Sequence, residues 1–160
     1  MVTRMLQYSH QIRKQQSKGR FQMQVVINRR YGGYGLSHEA IMALAELKGF
    51  KLFPIKGEYS TMQYWKKEHT PLTHKEFMKL SETEREAYLK MKKEFKFEPM
   101  YVPRHDKDLV KIVRTMGEAA NGPFAHLVIV DAHKNYDIDE YDGMEKIINH
   151  FKGSQHDNFN

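Results

Sequence analysis

Phe21, Met23, Val25 and Ile27 alternate with Gln22, Gln24 and Val26, the period of two that a strand imposes because successive side chains leave opposite faces. Residues 28–36 break the alternation with glycine and tyrosine. Ser37 then offers an N-capping hydroxyl, Glu39 suits the first turn of a helix, and Ile41, Leu44, Ala45 and Leu47 recur at helical spacing before Gly49 marks a stop. Residues 50–55 are apolar again and read as a second strand. Strand, glycine loop, helix and strand predict a βαβ unit with a right-handed crossover and parallel strands.

The character changes over residues 56–93, where lysine and glutamate dominate. Two capping boxes, Thr73 with Glu76 and Ser81 with Glu84, each open a helix, the second running to about Lys93 with Tyr88, Leu89 and Met91 as a modest apolar side. This predicts a helical insertion at the sheet edge, either a solvated hairpin or a face kept for a partner. Phe95, Phe97, Tyr101 and Val102 ahead of Pro103 predict a strand. Asp106 caps a helix with the stripe Leu109, Val110, Ile112, Val113 and Met116, expected to stop at Asn121-Gly122. Residues 124–131 hold Leu127, Val128, Ile129 and Val130 in a row, as in a strand covered on both faces. Residues 136–141 alternate, Asp142-Gly143 is a hairpin turn, and residues 146–151 return as a strand or short helix. The expected fold is α/β: a small two-layer or three-layer domain over residues 21–152 with a βαβ unit, the insertion at 56–93, a basic N-terminal arm at 1–20 and a polar tail at 153–160.

Charge sharpens this outline. The 160 residues carry a net +6, but residues 1–38 hold seven basic side chains (Arg4, Arg13, Lys14, Lys18, Arg20, Arg29, Arg30) and no acidic one, whereas residues 39–160 hold 19 basic and 20 acidic, a net −1. An acid-free basic head suits an arm lying on a polyanion, an organelle-targeting segment, or a solvated tail. It lacks the apolar centre of a secretory signal. No apolar run reaches the length of a membrane span, and 40% hydrophobic residues exclude a wholly disordered chain. The absence of cysteine excludes disulfides, thiolate nucleophiles and Cys-ligated metals. The expected setting is intracellular and reducing, the cytoplasm or a mitochondrion.

The loop Asn28-Arg29-Arg30-Tyr31-Gly32-Gly33-Tyr34-Gly35-Leu36-Ser37 lies between a strand and a helix start. Glycines let backbone amides approach a ligand, a helix N-terminus favours anions, arginines grip phosphate, and Tyr31 and Tyr34 offer stacking faces. It lacks the Gly-Lys-Ser/Thr of a P-loop and the full dinucleotide fingerprint. The competing reading is a tight turn whose tyrosines cover the sheet end. Arg104-His105-Asp106 forms a second polar cluster, and parallel strands would bring Arg104 and His105 beside the glycine loop.

The segments V-V-I-N-R-R-Y-G-G-Y-G-L-S-H-E-A, R-H-D-K-D-L-V and I-D-E-Y-D-G resemble a family of small, functionally uncharacterised proteins of bacteriophages and large DNA viruses. That family's expected patterns are Y-G-G-F-x-L-S-x-E-A, R-T-D-P-x-L-V and E-E-Y-D-G. Tyr31, Gly32, Gly33, Leu36, Ser37, Glu39, Ala40, Arg104, Asp106, Leu109, Tyr141, Asp142 and Gly143 match. Arg30, His105 and Lys107 depart, standing where a small residue or Cys, a Thr and a Pro are usual. The likeness spans roughly residues 25–47 and 102–148 and implies an α/β fold without implying an activity.

Other chemistry finds little footing. No histidine pair has zinc-binding spacing, the aspartates at 137, 139 and 142 miss the calcium-loop pattern, and no nucleophile elbow is present. The acidic residues among 131–145 read as a solvated edge that repels like chains. No metal, cofactor or catalytic residue is expected, although His38 or His105 is the base an enzyme would use. The leading expectation is therefore a non-enzymatic binding or assembly protein. Its arm (Arg4, Arg13, Lys14, Lys18, Arg20) and loop (Arg29, Arg30, Tyr31, Gly32, Gly33, Tyr34, Gly35, Ser37, His38) would dock on RNA in a ribonucleoprotein or on an acidic protein assembly, with no membrane partner. The alternative is a nucleotide-binding or nucleotide-sequestering protein of viral type using the glycine loop with Arg104 and His105.

Overall fold

A computed structural model of the chain describes residues 23–57 and 61–150; the basic arm at 1–20 and the tail at 153–160 lie outside the described residues. The elements in chain order are β1 (Met23–Asn28), α1 (His38–Leu47), β2 (Phe53–Lys56), β3 (Met62–Trp65), α2 (His74–Lys79), α3 (Glu82–Phe95), β4 (Lys96–Phe97), α4 (Lys107–Met116), β5 (Leu127–Ala132), β6 (Tyr136–Tyr141) and β7 (Met144–Asn149). Helices and strands together form a mixed α/β fold.

The centre is the β1–β5 ribbon, in which Val25–Ile27 and Leu127–Val130 are continuous apolar runs, paired antiparallel with Val26 opposite Ile129. Alternation sends Val26, Leu127 and Ile129 into a core shared with α1 and α4, where Leu44 and Leu109 are fully buried. Val25, Ile27, Val128, Val130 and Ala132 face the other way, onto Tyr136, Ile138 and Ile147 of the β6–β7 hairpin. The ribbon is thus covered on both faces, in three layers. Burial of each such Leu or Ile removes enough apolar surface to contribute roughly 1.5–3 kcal/mol.

Two expectations about topology fail. β1 and β2 do not share a sheet, so there is no βαβ unit: β2 joins a separate three-stranded sheet in the order β2-β3-β4, and each strand pair among the described residues is antiparallel. β3, absent from the sequence reading, supplies the reason. It lies just beyond β2 in the chain, and its fully buried Trp65 sits opposite Phe53, so local pairing closes a short loop at small entropic cost. Residues 56–93 are consequently only partly a helical insertion. Both capping boxes are present, each with the hydroxyl accepting from the N3 amide and the glutamate accepting from the cap amide.

Smaller corrections follow from glycine and proline. α4 stops at Met116 because Gly117 turns with φ +56°, and a single 3-10 turn carries the chain to Ala120. The strand expected near Tyr101 is reduced to Lys96–Phe97, followed by a 3-10 turn at Pro99–Tyr101. Phe124 lies outside β5 and is exposed. The β6–β7 turn is the expected one: Asp142 and Gly143 both take positive φ, 48° and 85°, as the primed hairpin turn requires. Residues 144–149 return as a strand.

Candidate functional site

Asn28, at the end of β1, is fully buried, a position where an amide is tolerated only with its hydrogen bonds complete. Its Nδ2 donates to the carbonyls of Arg30 and Gly143, both at 2.6 Å, and its Oδ1 accepts from the His126 amide at 2.8 Å. One side chain therefore pins the start of the glycine loop, the β6–β7 turn and the entry to β5. The exposed edge of β1 is closed in the same place. Val26 donates its amide to the Arg104 carbonyl at 2.9 Å, and Asn28 donates its own to Glu145 Oε2 at 2.8 Å.

Glu145, although charged, is buried. Arg104 meets it with a bidentate pair, Nη1 to Oε2 at 3.0 Å and Nη2 to Oε1 at 2.8 Å. The guanidinium carbon lies 3.2 Å from the centroid of the Tyr34 ring, so Tyr34 covers the pair. Burial pushes the Tyr34 hydroxyl up to about 12 against the opposing pull of the Arg104 charge, and that hydroxyl has no hydrogen-bond partner among the described residues. The Y-G-G loop, the R-H-D cluster and the Y-D-G turn, far apart in the chain, thus converge on one polar knot.

The knot decides how the expected ligand residues are employed. Gly32 donates its amide to the Asp142 carbonyl at 3.2 Å. Gly143 backs against Gly33 so closely that a Cβ on Gly143 would lie 2.1 Å from the Gly33 nitrogen. Gly35 accepts from the Gly122 amide at 2.9 Å. Ser37 caps α1 by accepting from Ala40 and donates its hydroxyl to the Ala119 carbonyl at 2.6 Å. The glycines therefore serve close backbone approach. Arg104 does lie beside the loop, on Tyr34, although by antiparallel packing and with its charge committed to Glu145. The cavity between them, about 540 Å³, is lined by Glu140, Asp142 and Glu145, a field that opposes phosphate. The reading of residues 131–145 as a solvated acidic edge fails at Glu145.

The rings of His38 and His105 find their partners outside this knot. His38 Nδ1 is 3.0 Å from the Tyr64 hydroxyl, with the two rings stacked, and His105 Nδ1 is 2.9 Å from the Tyr136 hydroxyl. Tyr34, Gly35, Ser37, His38 and Tyr64 line a separate cavity of about 460 Å³. Asp106 caps α4 by accepting from the Asp108 and Leu109 amides and also receives the Lys48 ammonium at 2.6 Å. Partial burial opposes its ionisation, but the hydrogen bond and charge of Lys48 prevail and hold the carboxyl below the usual range. Lys48, Asn28 and Glu145 were missed in the sequence; Glu145 sits two residues beyond the Y-D-G turn, a proximity that a register through the hairpin makes readable.

Arg29 and Arg30 differ from Arg104. Both are exposed, and neither guanidinium has an ion partner among the described residues. Three aromatics of the neighbouring segments are exposed as well: Tyr31 at 57%, Phe124 at 69% and Tyr141 at 79%. They are positioned through Gly32, which follows Tyr31, packs on Phe124 and bonds the residue after Tyr141. His126, exposed, pairs its carbonyl with the Arg29 amide at 2.8 Å. Among the described residues no cluster of three or more His, Asp or Glu could hold a metal ion, and no helix is long and apolar enough to cross a membrane.

Comparison with models of known protein families, with curated proteins and with solved structures finds no match for the chain.

Proposed function

We propose that the protein is a non-enzymatic binding protein that holds a polyanion, single-stranded RNA in the first instance, on Arg29, Arg30 and the exposed aromatics Tyr31, Phe124 and Tyr141, none of which lines the acidic cavity. The observation that carries this reading is the conjunction of two uncommitted arginines, Arg29 and Arg30, with three aromatic side chains left in solvent. Arginine contacts phosphate, and an exposed ring stacks on an unpaired base whatever its identity, each stack contributing roughly 1–3 kcal/mol. Large aromatics left in solvent by a monomer commonly mark a contact surface. The basic arm, five further cations before Met23, would extend the electrostatic contact.

Titrating the full chain with labelled oligouridine across salt concentrations tests this. Binding through n phosphates gives a salt slope of about −0.7n for a single strand. Exchange of Arg29 and Arg30 for glutamine should flatten the slope by about 1.4. Binding that is absent, or that ignores salt, removes the proposal.

A nucleotide-binding reading finds support at the second half of the glycine loop, Tyr34 to His38, and not at Arg104 and His105. Arg104 is engaged and its cavity is acidic, but the 460 Å³ cavity at the start of α1 combines an apolar lining with His38, Tyr64 and Lys96, the makeup of a small-molecule site. A thermal-shift screen with mono-, di- and cyclic nucleotides tests it, since a ligand that binds only the folded state must raise its stability.

A further inference from the structure

The helix α3 is fourteen residues long and buries none of its side chains. Such a helix is held by its capping box and by one partly covered side, and it retains apolar surface that a partner can cover. Beside it runs the segment from β4 to Asp106, and between the two lies a groove of about 670 Å³. Leu89, Phe97, Val102 and Pro103 give the groove an apolar floor. Leu89 is 51% exposed and Tyr101, at its rim, 80%.

Four lysines surround that floor. Lys48 is satisfied by Asp106, and Lys96 by Glu98 at 2.5 Å. Lys92 and Lys93 have no carboxylate partner among the described residues. Their place in the last turn of α3 complements the helix dipole, which accounts for the charges but not for Leu89 and Tyr101 standing beside them in water. An occupant must bring carboxylates for two ammonium groups and an apolar side chain for an aliphatic floor. Nucleic acid offers the charge without the aliphatic anchor, whereas an acidic peptide segment offers both.

We propose that this groove docks an acidic segment of a partner protein. An aromatic or aliphatic side chain of the segment enters over Leu89, Phe97 and Val102, and flanking carboxylates meet Lys92 and Lys93. The site is distinct from the Arg29–Arg30 face, and the two readings stand or fall separately.

The test uses the full chain and a fluorescein-labelled, glutamate-rich peptide carrying a central Phe-Leu pair, followed by anisotropy. A control peptide has Ala-Ala at the centre. Saturable binding is expected, weakened about tenfold by K92E/K93E and about tenfold in the control peptide through loss of the buried anchor. The milder K92Q/K93Q should weaken it by a smaller factor, and exchange of Arg29 and Arg30 for glutamine should leave it unchanged. Circular dichroism confirms that each variant is folded. The proposal is overturned by no saturation up to about 1 mM peptide, by equal binding of the control peptide, or by indifference to the lysine variants. It is likewise overturned if oligouridine displaces the peptide through the same two lysines, which would assign the groove to nucleic acid.

Discussion

Replacing Glu145 with leucine strips the Arg104 guanidinium of both its carboxylate contacts and the Asn28 amide of its acceptor. A buried ion pair that loses one partner typically costs 3–5 kcal/mol, because the remaining charge stays desolvated. An unpaired buried amide adds roughly 1–3 kcal/mol. The Arg104 side chain retains 18% of its exposure, so water relieves part of the stranded charge and the low end applies, about 4 kcal/mol for Glu145→Leu. Arg104→Met leaves Glu145 with only the Asn28 amide as donor and should cost about 3 kcal/mol. The double variant strands neither charge and should cost less than the sum by about 2 kcal/mol or more. Urea unfolding of the four proteins measures the cycle, and Glu145→Gln serves as a milder substitute if the leucine variant does not fold. Single-variant costs below about 1 kcal/mol, or strictly additive effects, would refute the claim that this pair holds the Y-G-G loop against the β6–β7 turn.

Tyr34→Phe removes a buried hydroxyl without a partner and should raise stability by about 1 kcal/mol; a loss of stability in thermal unfolding would mean that the hydroxyl is satisfied. In the unaltered protein one tyrosine should ionise near pH 12 in absorbance titration. Because that value lies above the unfolded one, the unfolded chain ionises first, and the protein loses stability as pH rises from about 10 towards 12. Asp106 runs the other way: its folded carboxyl is held low, so its contribution is present above about pH 4 and is lost as pH falls below that. Lys48→Met should make acid unfolding begin at a higher pH, and an unchanged acid limb would deny the pair any role. Gly143→Ala adds a Cβ at 2.1 Å from the Gly33 nitrogen at a positive φ and should cost more than about 2 kcal/mol by calorimetry; near-neutral behaviour would show that the turn yields.

Features governed by near neighbours were legible in the sequence. The cap at Ser37, both capping boxes, the Asp106 cap and the Asp142-Gly143 turn each depend on a few consecutive residues, and each is present. The stripe of α4 followed from helical spacing, and β5 from its unbroken Leu-Val-Ile-Val run. Strand partnership did not, because β1 and β5 are joined by pairing across a hundred residues that leaves no local trace. β3 escaped notice because four residues, Met62 to Trp65, carry no strong alternation and gain their order from the strands on either side. The glycine loop was found as a special place, but its chemistry was not readable: whether its amides wait for a phosphate depends on what packs over them, and Asp142 and Gly143 do so from the far end of the chain. Glu145 illustrates the same limit, since an acidic stretch reads as solvated until the one residue aimed inward meets an arginine.

Arg29, Arg30 and the exposed aromatics Tyr31, Phe124 and Tyr141 are the surface proposed to hold single-stranded RNA. The most direct test is anisotropy of labelled oligouridine with the full chain, compared with Tyr31→Ala and Tyr141→Ala variants and with glutamine at positions 29 and 30. Salt-dependent binding is expected, weakened by about 1–3 kcal/mol per aromatic removed and with a flatter salt slope once the arginines are gone. Binding that is absent, or that survives all of these substitutions unchanged, would contradict the proposal.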